Sequence, residues 1–264
     1  MHELPLLIFT LFLQGSVGVT LWLAFGGAHA SQRSALLPAA GAFVLASLGL
    51  LASALHMGYP LNALNALRHV SSSWLSREII FASLYLAALG LATLLMFAKK
   101  PGWKLLLAAA GLVGLVDVFC MAQIYMHASV VTWQHINTLV LFIGSVGIIG
   151  SACMAVGMRS RATLRAAVVI IIITLLVLVR LVMQPVWLAD ISAMDNTVVT
   201  FPHAPLQMLQ QLRTVHLLSW CVSVVGMLCF AAGGLKAARG TMLLGSALLI
   251  AGELMLRFVF FSIG

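Results

Sequence analysis

Long uninterrupted runs of apolar residues alternate with short polar connections along the whole chain. Residues 166–179, AAVVIIIITLLVLV, form one such run. An α-helix needs about 20 apolar residues to cross a bilayer. Eight segments meet this length, at residues 5–26, 35–57, 77–98, 103–126, 134–157, 166–187, 212–232 and 241–262. The pattern predicts an all-α integral membrane protein with eight transmembrane helices in a single domain, residues 1–264.

Composition supports the membrane assignment and excludes other classes. Of the 264 residues, 62% are hydrophobic and 8% charged, whereas a soluble domain has about 25% charged residues. A membrane β-barrel would alternate apolar and polar positions, and this sequence does not. The net charge of +8 lies in short loops, without a basic stripe interleaved with aromatic residues, so nucleic acid is not an expected partner.

Two segments outside this regular pattern have their own interpretation. The first apolar run begins almost at Met1 and lacks both a basic leader and a small-residue cleavage motif, so we expect a retained span rather than a signal peptide. The connection over residues 189–211 is the longest, and it contains Asp190, Asp195 and His203. We expect a short interfacial helix within it.

The distribution of Lys and Arg predicts the orientation. With the N-terminus outside, nine of these residues fall on the inner side and three on the outer side. The positive-inside rule therefore favours an N-out and C-out topology. In that orientation all six acidic residues and seven of the eight histidines lie in the outer half or near the midplane. This asymmetry predicts one polar site beneath the outer surface.

A polar connection between the second and third spans contains the first candidate site. His56 ends one span, Arg68 follows in the loop, and Arg77 and Glu78 begin the next span. Ionisable groups at such positions need partners or water, and a histidine or a desolvated glutamate takes up protons near neutral pH. The alternative is structural: His56 caps a helix, Glu78 complements a helix dipole, and Arg77 is an interfacial anchor.

Charged residues inside later spans are the second candidate. Arg180 follows a run of aliphatic residues and needs a buried partner, for which Asp117, Glu253 and Glu78 are available. Its role is either to hold the bundle by an ion pair or to lie beside a ligand headgroup. Glu253 and Arg257 are four residues apart, a spacing that predicts a salt bridge on one helix face.

The positions of the histidines and cysteines bear on which redox cofactors the protein holds. His56, His135 and His216 lie at or near outer helix ends, so a single haem b near that surface is conceivable, but a stacked pair across the membrane is not expected. The cysteines lie in apolar helices without a CxxC motif, which predicts buried small hydrophobes and no iron–sulfur cluster in this chain. They are Cys120, Cys153, Cys221 and Cys229.

Several motifs together resemble a known family, the membrane anchor subunits of bacterial dimethyl sulfoxide reductases. The opening HELPLLIFT, the loop segment LHMGYP and the following LSREI are similar to that family's characteristic stretches. Further matches are Gln14, Asn65, Arg68, Thr132-Trp133, Gln184, Arg213 and the C-terminal pattern GExxxRxxF, which contains Glu253 and Arg257.

The resemblance implies an eight-helix anchor without haem, in the inner membrane of a bacterium, that oxidises menaquinol during anaerobic respiration. It implies a heterotrimer, in which electrons pass to a four-cluster iron–sulfur subunit and then to a molybdopterin catalytic subunit. His56 and Glu78 match the family's quinol-site residues and are the predicted catalytic pair. The wider predicted quinol-binding set is His56, Glu78, Gln14, Arg68, Arg77, Arg180, Gln184, Glu253 and Arg257.

Three other functions remain open at this point. A small-molecule transporter would have broken helices, midplane polar residues and an inverted repeat, and no repeat is evident. A purely structural anchor would contain no active site of its own, because the catalytic partner subunit would provide it. A haem b-containing quinol-oxidising anchor would use histidines at the outer surface.

Overall fold

A computed structural model describes residues 4–25, 31–56, 69–157, 163–194 and 205–263. Within these ranges the protein is helical and contains no strand. Eight helices are long and apolar enough to cross a membrane. They are α1 (Leu4–Phe25), α2 (Gln32–His56), α3 (Trp74–Phe97), α4 (Trp103–Met126), α5 (Ile136–Gly157), α6 (Thr163–Met194), α8 (Arg213–Leu235) and α9 (Arg239–Ile263). The all-α, eight-span prediction is confirmed.

The ends of the helices depart from the predicted spans where local capping or propensity extends them. α3 begins at Trp74 rather than at residue 77, because the Ser73 side chain accepts a hydrogen bond from the Ser76 amide and caps the helix. α6 continues past residue 187 to Met194, although Pro185 lies inside it. Proline removes one backbone donor and bends a helix without necessarily ending it.

The long connection after α6 contains the short helix that the sequence predicts. This helix, α7, spans Pro205–Gln211. Asp190 does not belong to the connection as predicted, since it lies in the last turns of α6. Asp195 and His203 lie outside the described residues. A 3-10 turn, Val131–Trp133, precedes α5.

The centre of the bundle is formed by α1 and α5, which are the most buried spans. Gly18 on α1 lies against Gly150 on α5, and a Cβ atom at either position would overlap the other helix backbone. Small residues allow this close backbone approach in lipid, where helix association depends on van der Waals packing. α2, α3 and α4 pack on one side of this centre, and α6, α8 and α9 pack on the other.

One end of the bundle contains most of the buried polar groups. We call it the cleft end, because a cleft lined by α5, α6, α8 and α9 opens there. Helices α1, α3, α5 and α8 begin at this end, and α2, α4, α6 and α9 finish at it. Contacts across this end include the hydrogen bond from Trp133 Nε1 to the Phe260 carbonyl oxygen, at 2.8 Å. The cysteines are less uniformly buried than predicted: Cys120 is buried, but Cys221 is exposed on α8, on the helical surface available to lipid.

Candidate ligand cleft and buried ionic network

An ion pair between α6 and α9 is the centre of a buried network. Arg180 donates through Nη1 to Glu253 Oε1 and through Nη2 to the carbonyl oxygen of Leu141 on α5. The Ser145 hydroxyl donates to Glu253 Oε2 at 2.6 Å. Arg180 and Glu253 are only 2% and 3% exposed. Of the three acids that the sequence offered to Arg180, tertiary packing selects Glu253.

A second arginine completes the network from α9. Arg257 donates through Nη2 to Gln14 Oε1 on α1, at 2.7 Å, and to Ser145 Oγ, at 3.0 Å. Its guanidinium lies over the Phe142 ring, 4.0 Å from the centroid. The predicted Glu253–Arg257 salt bridge is therefore wrong: among the described residues Glu253 pairs with Arg180, because α6 brings a guanidinium directly to it.

The network has an unbalanced charge. Two arginines and one glutamate leave one net positive charge in a region that is almost fully buried. Gly144 on α5 makes room for this arrangement, because a Cβ atom there would overlap the Arg180 guanidinium. An uncompensated buried charge is unfavourable unless dipoles or a ligand offset it. The Leu141 carbonyl, Ser145 and Gln14 supply part of that compensation.

A cleft opens beside the network at the cleft end. Its walls are mainly aromatic and aliphatic, and its polar residues come from α5, α6, α8 and the turn before α5. The aromatic lining residues are Trp133, Trp187, Trp220 and Phe260. The polar lining residues are Thr132, Asn137, Thr138, Gln184 and His216. This mixture of apolar walls and a few polar groups is typical of small-molecule sites.

A smaller cavity continues from the cleft to the ionic network. It contacts Ser145, Arg180, Glu253 and Arg257. Leu141, Leu256 and Phe260 line both spaces. The positively charged network therefore lies directly behind the apolar cleft.

His216 is fixed within the cleft by two neighbours. Its Nε2 accepts a hydrogen bond from Trp220 Nε1 at 3.0 Å and lies 3.1 Å from Gln184 Nε2. An imidazole nitrogen that accepts a hydrogen bond carries no proton. His135 is engaged elsewhere, with its Nε2 2.9 Å from Asp190 Oδ2. Both ring systems thus have protein partners, and no group of three or more metal-ligating side chains exists in the described ranges.

Four buried polar atoms around the two cavities have no hydrogen-bond partner in the described part of the protein. Thr132 Oγ1 and Asn137 Oδ1 line the cleft, and Arg180 Nε and Arg257 Nη1 belong to the network behind it. Buried polar atoms are nearly always hydrogen-bonded in native proteins. Their convergence on one pair of cavities indicates a place where a ligand or ordered water supplies the missing partners.

Two acids on the other side of α1 form a separate cluster. Glu78 on α3 is 7% exposed and Asp117 on α4 is fully buried, and their carboxyl groups are close enough to interact electrostatically. Neither forms a salt bridge with a described residue. Both oxygens of Asp117 lack any side-chain hydrogen-bond partner within the described segments. We call Glu78 and Asp117 the carboxyl pair.

The other members of the predicted loop site are distributed differently. His56 is the last residue of α2, but its side chain lies outside the described residues, as does Arg68. Arg77 donates to the Val70 carbonyl oxygen at 2.9 Å and to that of Ser71 at 2.6 Å, and it stacks 4.2 Å from the Trp74 ring centroid. These contacts match the interfacial-anchor alternative for Arg77.

The structure thus divides the predicted site residues. It joins Gln14, Arg180, Glu253 and Arg257 in one network, places Gln184 in the adjoining cleft, and leaves Glu78 with Asp117 across α1. Gln14 lies between the two regions. Its Oε1 accepts from Arg257, and its Nε2 lies 3.5 Å from Sδ of Met121 on α4, which is one helical turn from Asp117.

Sequence reasoning missed two residues of this region. Ser145 connects Glu253 to both arginines, yet a serine in an apolar helix gives no distinguishing signal. Asn137 is the other, although an amide in the second position of a membrane span, just after the Thr132-Trp133 motif, was a signal that could have been used.

The fold and the site define a multi-pass membrane protein whose charged residues are paired and buried inside the helix bundle. The family model described as DMSO reductase anchor subunit (DmsC) matches residues 1–263. The protein therefore belongs to this family, as the sequence motifs predicted.

Curated relatives agree with the family assignment. The sequence is 36% identical over 157 residues to the C subunit of the anaerobic dimethyl sulfoxide reductase of Escherichia coli, a match that covers 54% of this chain and 55% of that protein. It is 29% identical to the anaerobic dimethyl sulfoxide reductase subunit YnfH of the same organism, over 99% of this chain and 95% of the relative. The first match thus spans about half the length of that relative. No solved structure matches this protein.

Membership agrees with the eight long apolar helices. The protein is a multi-pass membrane protein of an anchor-subunit family. The transporter alternative has no support from the comparisons, because each relative is described as part of an anaerobic dimethyl sulfoxide reductase.

Proposed function

We propose that this protein is the quinol-oxidising anchor of a dimethyl sulfoxide reductase-like complex in the bacterial inner membrane. It would bind menaquinol, release two electrons to a four-cluster iron–sulfur subunit, and thereby supply a molybdopterin catalytic subunit in anaerobic respiration. The anchor itself would hold no haem or iron–sulfur cluster. Family membership supports the assembly, and the carboxyl pair supports the chemistry.

The observation that carries the proposal is that Glu78 and Asp117 are buried acids without a cationic partner in the described residues. Oxidation of a quinol to a quinone releases two electrons and two protons. A carboxylate already paired with arginine is a poor acceptor, because binding a proton would break the ion pair. The carboxyl pair has no arginine partner of this kind within the described ranges. It also lies in the helix hairpin that follows the loop after His56.

In this proposal His56 accepts a hydrogen bond from one quinol hydroxyl, and Glu78 takes up a released proton and passes it to water at the cleft end. Asp117 lies deeper, so it serves as the proton-sharing neighbour of Glu78 rather than the exit. Arg77 holds the start of α3 in place through the backbone of residues 70 and 71. The electrons leave on the same side, which the charge distribution predicts to be the outer face.

Site-directed variants of the assembled complex test the assignment. His56→Ala and Glu78→Gln should each reduce quinol-dependent turnover by at least a hundredfold, in line with the loss of a proton-transfer group, while the complex still assembles in the membrane. Asp190→Asn is the matched control, because Asp190 is an exposed acid at the same end and should retain normal turnover. Normal turnover in both site variants would refute the proton-accepting role.

The second candidate, a haem-containing quinol-oxidising anchor, predicts a different result. An absorption spectrum of the purified complex with a Soret band assigned to this subunit would support it. The hydrogen bonds of His216 to Trp220 and of His135 to Asp190 favour the anchor without haem, because a haem ligand needs its nitrogen free for iron.

A further inference from the structure

We propose that the cavity of the buried ionic network binds one small monovalent anion of halide size, with chloride as the ion that a cell supplies. Arg257 and Arg180 provide its hydrogen-bond donors, and the anion balances the charge of the network. This site is distinct from the carboxyl pair, and the proposal does not depend on which residues take part in quinol oxidation.

The charge of the network is the first argument for an anion. Arg180 and Arg257 are 2% and 3% exposed, and Glu253 is the carboxylate that pairs with them among the described residues. The neutral oxygen atoms that accept hydrogen bonds from the two arginines contribute dipoles but no charge. Tyr125 also interacts electrostatically with Arg257, and its neutral phenol leaves the net charge unchanged. A buried charge without a counter-ion is strongly unfavourable, so the network lacks one negative charge.

Unpartnered donors of the network are the second argument. Arg257 Nη1 and Arg180 Nε have no hydrogen-bond partner in the described part of the protein, and both residues line the cavity. A guanidinium group offers donors only, so the missing partner is an acceptor. The Phe142 ring, whose centroid lies 4.0 Å from Arg257 Cζ, attracts the cation through its π face but does not cancel a full charge. A water molecule would satisfy the donors alone, whereas an anion satisfies the donors and the charge.

The size of the cavity selects the kind of anion. The space holds about one water-sized particle. Carboxylates, phosphate and sulfate contain several heavy atoms and are too large for it, while chloride and bromide are single atoms that are only slightly larger than water. The apolar part of the wall comes from Leu141, Leu256 and Phe260. Such a wall suits chloride and bromide, which give up their hydration water more readily than fluoride does.

An ion can reach the cavity through the cleft. Leu141, Leu256 and Phe260 line both spaces, so the cavity adjoins the cleft that opens at the cleft end. No described Lys or Arg lines the cleft itself. The arginines of the network are therefore the first described cations that an entering anion meets on this route.

Equilibrium dialysis with radioactive chloride tests the proposal directly. The purified full-length protein is held in a neutral detergent, with sodium gluconate as the background salt, until chloride uptake is constant. We expect saturable binding of about one chloride per protein chain, because the network has one excess positive charge. Bromide should displace this chloride, and the same concentration of sulfate should not.

The sharpest variant is Gln14→Glu, which keeps the shape of the side chain and adds a negative charge. Gln14 Oε1 already accepts a hydrogen bond from Arg257 Nη2, at 2.7 Å. Two carboxylates would then balance two arginines, so the protein's own charge would replace the ion. We expect at least about tenfold weaker chloride binding. Gln123→Glu is the matched control, because Gln123 does not line the cavity, and it should bind chloride as the unmodified protein does.

A second variant removes the excess positive charge instead. Arg257→Gln loses one guanidinium group and its unpartnered donor, and we expect at least about tenfold weaker chloride binding. Arg213→Gln removes an exposed arginine at the same end of the bundle and should leave chloride binding unchanged. If Arg257→Gln does not fold, Gln14→Glu and its control still decide whether the ion belongs to the network.

Any of three outcomes would overturn the inference. The first is the absence of saturable chloride uptake by the unmodified protein, which would mean that water fills the cavity. The second is unchanged chloride binding in folded Gln14→Glu or Arg257→Gln. The third is displacement of chloride by sulfate as effectively as by bromide. Glu78→Gln should keep chloride binding while it loses turnover, so failure of this proposal and failure of the proposed function are distinguishable.

Discussion

Glu253 and Glu78 are both buried glutamates in membrane-spanning helices, yet their surroundings are opposite. Glu253 accepts hydrogen bonds from Arg180 and Ser145 and lies near the charge of Arg257. Glu78 lies beside another acid, Asp117, and forms no salt bridge with a described residue. The first arrangement gives a carboxylate a cationic partner, and the second leaves two acids without one among the described residues. Within one bundle, neighbouring cations therefore separate a structural acid from a candidate proton acceptor.

The largest expected effect comes from Glu253→Leu, because it leaves Arg180 and Arg257 buried without a carboxylate. Breaking a buried ion pair by removing one partner costs about 3–5 kcal/mol. We expect a loss of this size in the free energy of unfolding, measured by denaturant titration of the purified protein in mild detergent. Glu78→Leu is the matched control, and it should lower this free energy by less than about 1 kcal/mol, since no described cation loses a partner. Equal losses in the two variants would contradict the distinction between paired and unpaired acids.

A smaller loss is expected from Arg180→Leu. Glu253 would keep Ser145 as a donor and would still have Arg257 four residues away on the same helix face, a spacing that allows re-pairing. We expect a decrease of about 1–3 kcal/mol in the same titration, as for the loss of buried hydrogen bonds. Arg213→Leu, at an exposed position, serves as the control and should change little. A loss larger than that of Glu253→Leu would mean that Arg257 cannot replace Arg180.

The smallest expected effect is an unchanged or slightly increased free energy of unfolding. Asp117→Leu removes two buried oxygens without side-chain hydrogen-bond partners in the described segments and substitutes an apolar side chain of similar volume. Relief of such groups is worth about 1 kcal/mol, so the free energy of unfolding should stay the same or rise. A marked destabilisation would show that Asp117 has a partner of its own, and the carboxyl pair would then resemble the ionic network.

The number and type of the membrane spans could be predicted from the sequence for a simple physical reason. Apolar runs such as residues 166–179 have one low-energy conformation in lipid, since a helix satisfies its own backbone hydrogen bonds. Span number and helix type therefore followed from local composition. The short helix Pro205–Gln211 was expected from the longest connection, but the extension of α6 to Met194 was not, because its pattern beyond Pro185 is less apolar.

The partners of the charged residues depended on the tertiary structure. The i,i+4 spacing of Glu253 and Arg257 indicated a salt bridge on one helix, but α6 places Arg180 closer to the carboxylate. Gln14 and Arg257 are 243 residues apart in sequence, and no local pattern encodes their contact. Ser145 and Asn137 gained significance only from what surrounds them.

The sequence by itself determined that this protein spans the membrane eight times as helices, and its motifs identified the family, because both depend on local hydrophobicity and residue order. The tertiary structure decided which of the described acids are paired with a cation, which are not, and where an aromatic cleft opens. Those properties depend on distances between helices that are far apart in sequence, and in a low-dielectric interior such distances determine whether a buried charge is stabilised.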